Sequence, residues 1–144
     1  MEIRSAQLAD VDRLQVLLSQ LGYEVSSQDI KRMVPQSLGS SIDDVYVAVC
    51  NKEVVGLISL IYFNYFPSAQ KLCRITAVVV DESLRGSGVG TKLIGFAKQK
   101  AITENCSTIE VTTSLARDKT QSYYEVIGFQ KKSFGYAQQL NKSV

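Results

Sequence analysis

Val11, Leu14, Leu17, Leu18 and Leu21 recur at three- and four-residue spacing, the period of one helix face. The pattern predicts a helix from Ala9, with Gly22 as its stop. Residues 2–5 read as a short first strand, residues 26–34 as a second, shorter helix ended by Pro35, and residues 37–44 as a loop. Residues 46–50, 54–63 and 71–80 then lose the helical period and become rich in β-branched and aromatic side chains, which predicts three strands. Asn51-Lys52-Glu53 is a turn, and so short a connection implies an antiparallel pair. Residues 64–70 contain Pro67 and turn the chain again. Beyond Val78-Val79-Val80 comes a glycine loop, then a helical stretch with Val89, Leu93, Ile94, Ala97 and Ala101 apolar, then a strand at 108–113. Strand, loop, helix and strand in that order suggest a crossover between parallel neighbours. Residues 121–127 predict a short helix stopped by Gly128, and residues 129–140 are expected to hold the last strand or strands. The class is α+β with a mixed sheet.

A length of 144 residues is one domain, 1–144, and hydrophobic residues at 45% with charged residues at 21% are the balance of a globular chain. A chain this long can bury a core without disulfides or a structural metal. Sixteen basic against fourteen acidic residues leave a charge of +2, too small to argue for nucleic acid. There is no histidine, which excludes a Ser-His-Asp triad, a Cys-His dyad and nearly every catalytic zinc site. Proton transfer falls to Glu, Asp, Tyr, Cys, Lys, water or the substrate, and no metal is expected. Cys50, Cys73 and Cys106 are odd in number and without a C-x-x-C pair, so they read as reduced, buried thiols of a cytoplasmic protein. The first residues have no apolar core of a signal peptide, and no apolar run approaches the ~20 residues of a membrane span.

The informative motif is Arg85-Gly86-Ser87-Gly88-Val89-Gly90. It lies between a strand and a helix start, where N–H groups lack intrahelical acceptors and the helix dipole is positive. Glycine lets the backbone approach a ligand closely, and such a site favours a phosphate or pyrophosphate. Arg85 adds a fixed charge. The rival reading is a glycine-rich turn that only starts a helix. A Walker A loop needs G-x-x-x-x-G-K-[ST] and a dinucleotide fingerprint needs G-x-G-x-x-G; neither spacing is present.

This loop resembles the (R/Q)-x-x-G-x-(G/A) motif of the GNAT superfamily, the acyl-CoA-dependent N-acetyltransferases. Tyr123-Tyr124-Glu125-Val126-Ile127-Gly128-Phe129 is similar to that superfamily's F-Y-E-x-x-G-F segment, at a fitting distance downstream. Leu21-Gly22-Tyr23, Val54-Val55-Gly56 and Ser133-Phe134 resemble small members of the same superfamily, so the likeness covers nearly the whole chain. It implies a largely antiparallel central sheet flanked by helices and splayed between the fourth and fifth strands. It implies acetyl-CoA as co-substrate, with the main chain of Val78, Val79 and Val80 along the pantetheine arm. The pyrophosphate would lie on Gly86, Ser87, Gly88, Val89, Gly90 and Thr91, beside Arg85. Residues 112–114, including Ser114, would form the opposite wall, and Arg117 a side-chain contact. Tyr124 falls where many relatives carry a general acid; packing at a helix start is its other reading.

Arg74 stands near the position where many relatives have a glutamate base, and Ala77 fills a second position that is sometimes acidic. Arginine cannot act as a base, so Glu110, Glu125 or water is left to take the proton. Arg74 reads either as a surface cation or as a partner for an anionic group on the substrate. Thr120 and Gln121 replace a common Ala-His pair. Tyr62-Phe63-Asn64-Tyr65-Phe66 reads as core, acceptor wall or homodimer contact. The resemblance implies direct transfer of acetyl to a primary amine, with a small-molecule acceptor as in aminoalkylphosphonate and aminoglycoside acetyltransferases. A non-catalytic acyl-CoA-binding module is the alternative.

Overall fold

The computed structural model describes residues 1–34, 42–112, 118–132 and 135–140. Contacts divide the chain into two units, Met1–Thr112 and Thr113–Val144. The first carries strands β1 (Glu2–Ser5), β2 (Asp43–Cys50), β3 (Glu53–Tyr65), β4 (Gln70–Val80) and β5 (Thr108–Val111), with helices α1 (Val11–Leu21), α2 (Ser27–Met33) and α3 (Val89–Thr103). The second carries α4 (Asp118–Val126). The strands form one sheet in chain order. The first four pair antiparallel, and β5 joins β4 in parallel after the α3 crossover. This is the mixed α+β sheet the sequence predicts.

Side chains alternate between the faces of a strand, and the pairing register sorts β3 and β4 accordingly. Leu57 and Val79 are register partners and share one core with Val47 of β2, Val11, Leu14 and Leu17 of α1, and Ile30 of α2. Ile58, Leu60 and Ile75 are buried on the other face. There Phe96 of α3 meets the Tyr46 ring edge-on at 4.8 Å, and Leu93, Ile94, Ala97 and Ala101 give α3 its buried stripe. Gly56 permits close packing at this point. A Cβ there would lie 3.1 Å from Leu93 Cδ1 and 3.3 Å from the Val79 carbonyl oxygen.

The β2–β3 hairpin turns on Asn51 and Lys52, both at positive φ (50° and 67°), the twist-matched two-residue turn of antiparallel hairpins. Several strands exceed their expected length. β2 begins at Asp43 because Asp43 and Asp44 pair with Ile61 and Leu60, and Asp44 accepts a 2.8 Å hydrogen bond from the Tyr62 hydroxyl. The β3–β4 hairpin extends through Asn64 and Tyr65, paired with Lys71 and Gln70. A 3-10 turn, Phe66–Ser68, then reverses the chain. Of the aromatic run, Tyr62 is buried while Tyr65 and Phe66 are exposed.

The expected strand or strands in 129–140 are not found among the described residues there, which lie in no ladder. Gln130, Lys131 and Lys132 are exposed, as are residues 135–140. Tyr136 and Leu140 are left exposed, because β-forming residues make a ladder only where a strand edge accepts them.

Candidate active site

β4 and β5 pair only over Leu72↔Thr108, Cys73↔Ile109, Arg74↔Glu110 and Ile75↔Val111. Residues 76–80 of β4 continue with no β5 partner among the described residues. The described β4–β5 pairing thus ends at Ile75. The register of β4 against β3 also shifts there. Ser59 pairs with Ala77 and Leu60 with Ile75, leaving Thr76 as an extra residue. Such a bulge bends its strand and re-aims the side chains beside it.

Main-chain direction along this open edge follows from one bond. The Asp81 N–H donates to the Val55 carbonyl at 2.8 Å, across to β3. By the two-residue alternation of a strand, the polar groups of Val79 also point into β3. Those of Val78 and Val80 point to the uncovered edge. Of the three valines expected to pair with a ligand, two therefore present donors and acceptors outward, and Val79 contributes a buried side chain.

The edge leads into the glycine loop, which α1 holds in place. Arg13 donates from Nε to the Val54 carbonyl (3.0 Å) and from Nη2 to Asp81 Oδ2 (2.8 Å). Asp81 Oδ1 accepts from the Ser83 amide and hydroxyl at 3.0 and 2.7 Å. The Ser83 donors, then Arg13, hold the Asp81 carboxyl well below the usual carboxylate range. Gln20 of α1 accepts from the Glu82 amide at 2.9 Å. Gly86 and Gly88 then take left-handed φ values of 83° and 92°. Glycine takes such values without the Cβ penalty that other residues meet there, and these two positions explain the motif. α3 opens with Gly88 as its N-cap, and its first bond runs from the Lys92 amide to the Gly88 carbonyl, 3.1 Å. The amides of Gly88, Val89 and Gly90 have no acceptor among the described residues, so donors and helix dipole converge where an anion is favoured. Arg85, Ser87 and Thr91 are exposed, and the Val89 side chain is buried beneath the loop. Ser87 and Lys92 line a groove of about 540 Å³ shared with Arg13, Glu53 and Asp81. Lys92 was not singled out by the motif, although a cation in the first turn after a glycine loop is a readable signal.

In the second unit, Tyr124 is a buried residue of α4. Its ring centroid lies 5.6 Å from that of Tyr123 and 5.7 Å from that of Phe129. The Phe129 amide donates to the Tyr124 carbonyl (2.9 Å) and the Gly128 amide to that of Glu125 (3.1 Å), with Gly128 at φ 106°. These are the paired bonds of a glycine-ended helix. Gly128-Phe129 is thus the stop that sets the last turn of α4. Ser114 and Arg117 lie outside the described residues, and so do Ser133 and Phe134.

The strand face that carries Leu57 and Val79 changes character beyond the bulge. Ser59 Oγ and Thr76 Oγ1 are 2.6 Å apart. Arg74 stands over the Phe63 ring, 4.9 Å from its centroid, and donates from Nε to Oε1 of Glu110, with Nη2 in ion-pair contact with the same oxygen. Glu110 is thus an ion-pair partner, and Glu125 is exposed on α4. Among the described residues no group of three or more Cys, Asp or Glu could hold a metal ion. No described helix is long and apolar enough to cross a membrane.

Comparison with known proteins defines the class. Residues 15–129 match the acetyltransferase (GNAT) family, and the chain belongs to that family. The protein is an acyltransferase of the acetyltransferase type. It is 26% identical over 140 residues to the aminoalkylphosphonate N-acetyltransferase of Salmonella typhimurium, covering 96% of this chain and 91% of that one. Two solved structures share the fold. A transcriptional regulator from Bacillus halodurans has a TM-score of 0.84 at 20% identity, covering 96% of this chain and 99% of its own. A putative acetyltransferase from Agrobacterium tumefaciens has a TM-score of 0.83 at 23% identity, covering 97% and 100%.

Proposed function

We propose that the protein transfers an acetyl group from acetyl-CoA to the primary amine of a small molecule, by direct attack in a ternary complex in the cytoplasm. One observation carries this reading: an unpaired strand edge at Val78 and Val80 runs directly into a helix-start loop with unpartnered amides. An extended amide-bearing arm can pair with the edge as an added strand, while its diphosphate meets the amides of residues 86–91 and the positive end of α3. Arg85 and Lys92 add charge on either side of the loop. Family likeness adds Ser114 and Arg117 to the contacts.

The acceptor amine, in its neutral form, approaches over the strand face beyond the bulge and attacks the thioester carbonyl, and the proton its nitrogen then loses passes to water. A main-chain N–H at the splay polarises that carbonyl. Val78, with its N–H on the open edge, takes this role. Tyr124, protonated at neutral pH because a phenol ionises near pH ~10, donates its proton to the departing thiolate. No nucleophile with an activating base is expected, so acetyl does not pause on the protein. The name of the Salmonella relative supports a small acceptor.

The test is turnover. Purified protein, acetyl-CoA and a panel of primary amines should release coenzyme A thiol in proportion to acetylated amine. Tyr124→Phe should lower kcat by roughly 100-fold or more with coenzyme A affinity kept. Coenzyme A binding without turnover on any amine would leave a binding module instead.

A further inference from the structure

We propose that Arg74 and Glu110 together select the acceptor, and that this acceptor is a small amine that also carries an acid group. The inference rests on the N-acetyltransferase reading and names the substrate class of that site. The pair occupies the last-but-one rung of the β4–β5 ladder, one rung before the described pairing ends. It lies on the face that α1 and α2 cover farther along the sheet. Neither side chain is sealed off: Arg74 is 41% and Glu110 35% exposed. Arg74 spends one edge of its guanidinium, Nε and Nη2, on one oxygen of Glu110. Its Nη1 and the second Glu110 oxygen have no partner among the described residues.

That leaves a donor fork and a carboxylate oxygen side by side, on a platform formed by the Phe63 ring. A guanidinium fork suits a carboxylate, phosphonate or phosphate, and the adjacent carboxylate oxygen suits the ammonium in which such an amine arrives, before it loses a proton to water and attacks. One ligand bearing both charges satisfies both groups without breaking the ion pair. A polycation would meet Arg74 as a like charge, and a plain alkylamine would leave its donors unused. Ser59 and Thr76, at the bulge, lie within 2.6 Å of each other on the same face.

Calorimetry in the presence of coenzyme A, with 2-aminoethylphosphonate, β-alanine, propylamine and spermidine as probes, tests this directly. At least one acid-bearing amine should bind about 100-fold more tightly than propylamine, and the better of the two identifies phosphonate or carboxylate as the acid. Arg74→Gln should abolish that preference and leave propylamine binding unchanged. Propylamine or spermidine binding as tightly as both acids, or an Arg74→Gln variant that keeps the preference, overturns the proposal. Should Arg74→Gln fail to fold, Glu110→Gln carries the test. It should weaken 2-aminoethylphosphonate about 10-fold while propylphosphonate, which lacks the amine, is unaffected; equal effects on both overturn the assignment. Preferential binding without thiol release would show the pair selecting an acid-bearing amine while overturning both the N-acetyltransferase reading and the part of this inference that makes the ligand an acceptor.

Discussion

Asp10 is the one charged side chain in the described core, 6% exposed. Arg4 grips it with two bonds, Nη1 to Oδ2 at 2.8 Å and Nη2 to Oδ1 at 3.0 Å, and the Gln7 amide adds a third at 2.8 Å. The Arg4 bonds lower its pKa against the opposing effect of burial. A carboxyl depressed in the folded state stabilises the fold above its unfolded pKa, near ~4. That stability is lost as the pH falls through the folded value. Asp10→Asn should cost about 1–3 kcal/mol at pH 7 in urea unfolding. Its stability should also fall less steeply than that of wild type below pH ~4. Cys73 belongs to the same scale. Burial pushes its thiol up to about 12, so it is neutral and inert at neutral pH. In a thiol-release assay only Cys50 and Cys106 should react before denaturant is added; rapid labelling of all three would contradict the packing of Cys73.

At the scale of elements, α1 and α4 end alike. Tyr23 donates to the Leu18 carbonyl and Gly22 to that of Ser19 (2.9 and 3.0 Å), with Gly22 at φ 111°, the same two-bond closure seen at Gly128-Phe129. Gly22→Ala should lower stability by about 1 kcal/mol, with ligand binding unchanged. Gly88→Ala meets no atom within 4 Å, so its stability cost is a similar backbone term of about 1 kcal/mol. The strain falls on the amides proposed to hold the diphosphate, so coenzyme A affinity should fall as well. β4 offers a sharper contrast. Proline removes an N–H. At Val79 that N–H belongs to the β3 ladder; at Val78 it belongs to the open edge. Val79→Pro should therefore lower the melting temperature more than Val78→Pro, whereas Val78→Pro should lose more coenzyme A affinity in proportion. The reverse order would show that the alternation along β4 is misassigned.

For the whole molecule, a ligand that binds only the folded state at 100 times its Kd adds about 2.7 kcal/mol. Saturating coenzyme A should accordingly raise Tm by several degrees, and an unmoved transition would remove the loop as its site. With no histidine in the chain, no side chain has an ordinary pKa between pH 5 and 8. The melting temperature should thus be nearly level from pH 6 to 8, in contrast to its fall in acid.

The periodic and punctuating residues were legible from the start. α1 and α3 announce themselves by their apolar stripes, the hairpins by β-branched runs between turns, and the ligand loop by glycines at positions that need positive φ. These signals are local, because they depend on the conformational preferences of a few consecutive residues. Family likeness added the splay and Tyr124. Less legible were the bulge at Thr76, the outward direction of Val78 and Val80, and the partner of Arg74. Each depends on the register of strands far apart in the chain, where one extra residue reverses every side chain beyond it. The last predicted strand failed for the same cause: β-forming residues make a strand only where an edge accepts them. The sequence by itself thus determined most of the elements, the glycine loop that opens α3 and the absence of histidine chemistry, all properties of single residues and near neighbours. Only tertiary pairing decided which strand edge stays open and placed Arg74 against Glu110, because distant segments meet only after the sheet has formed.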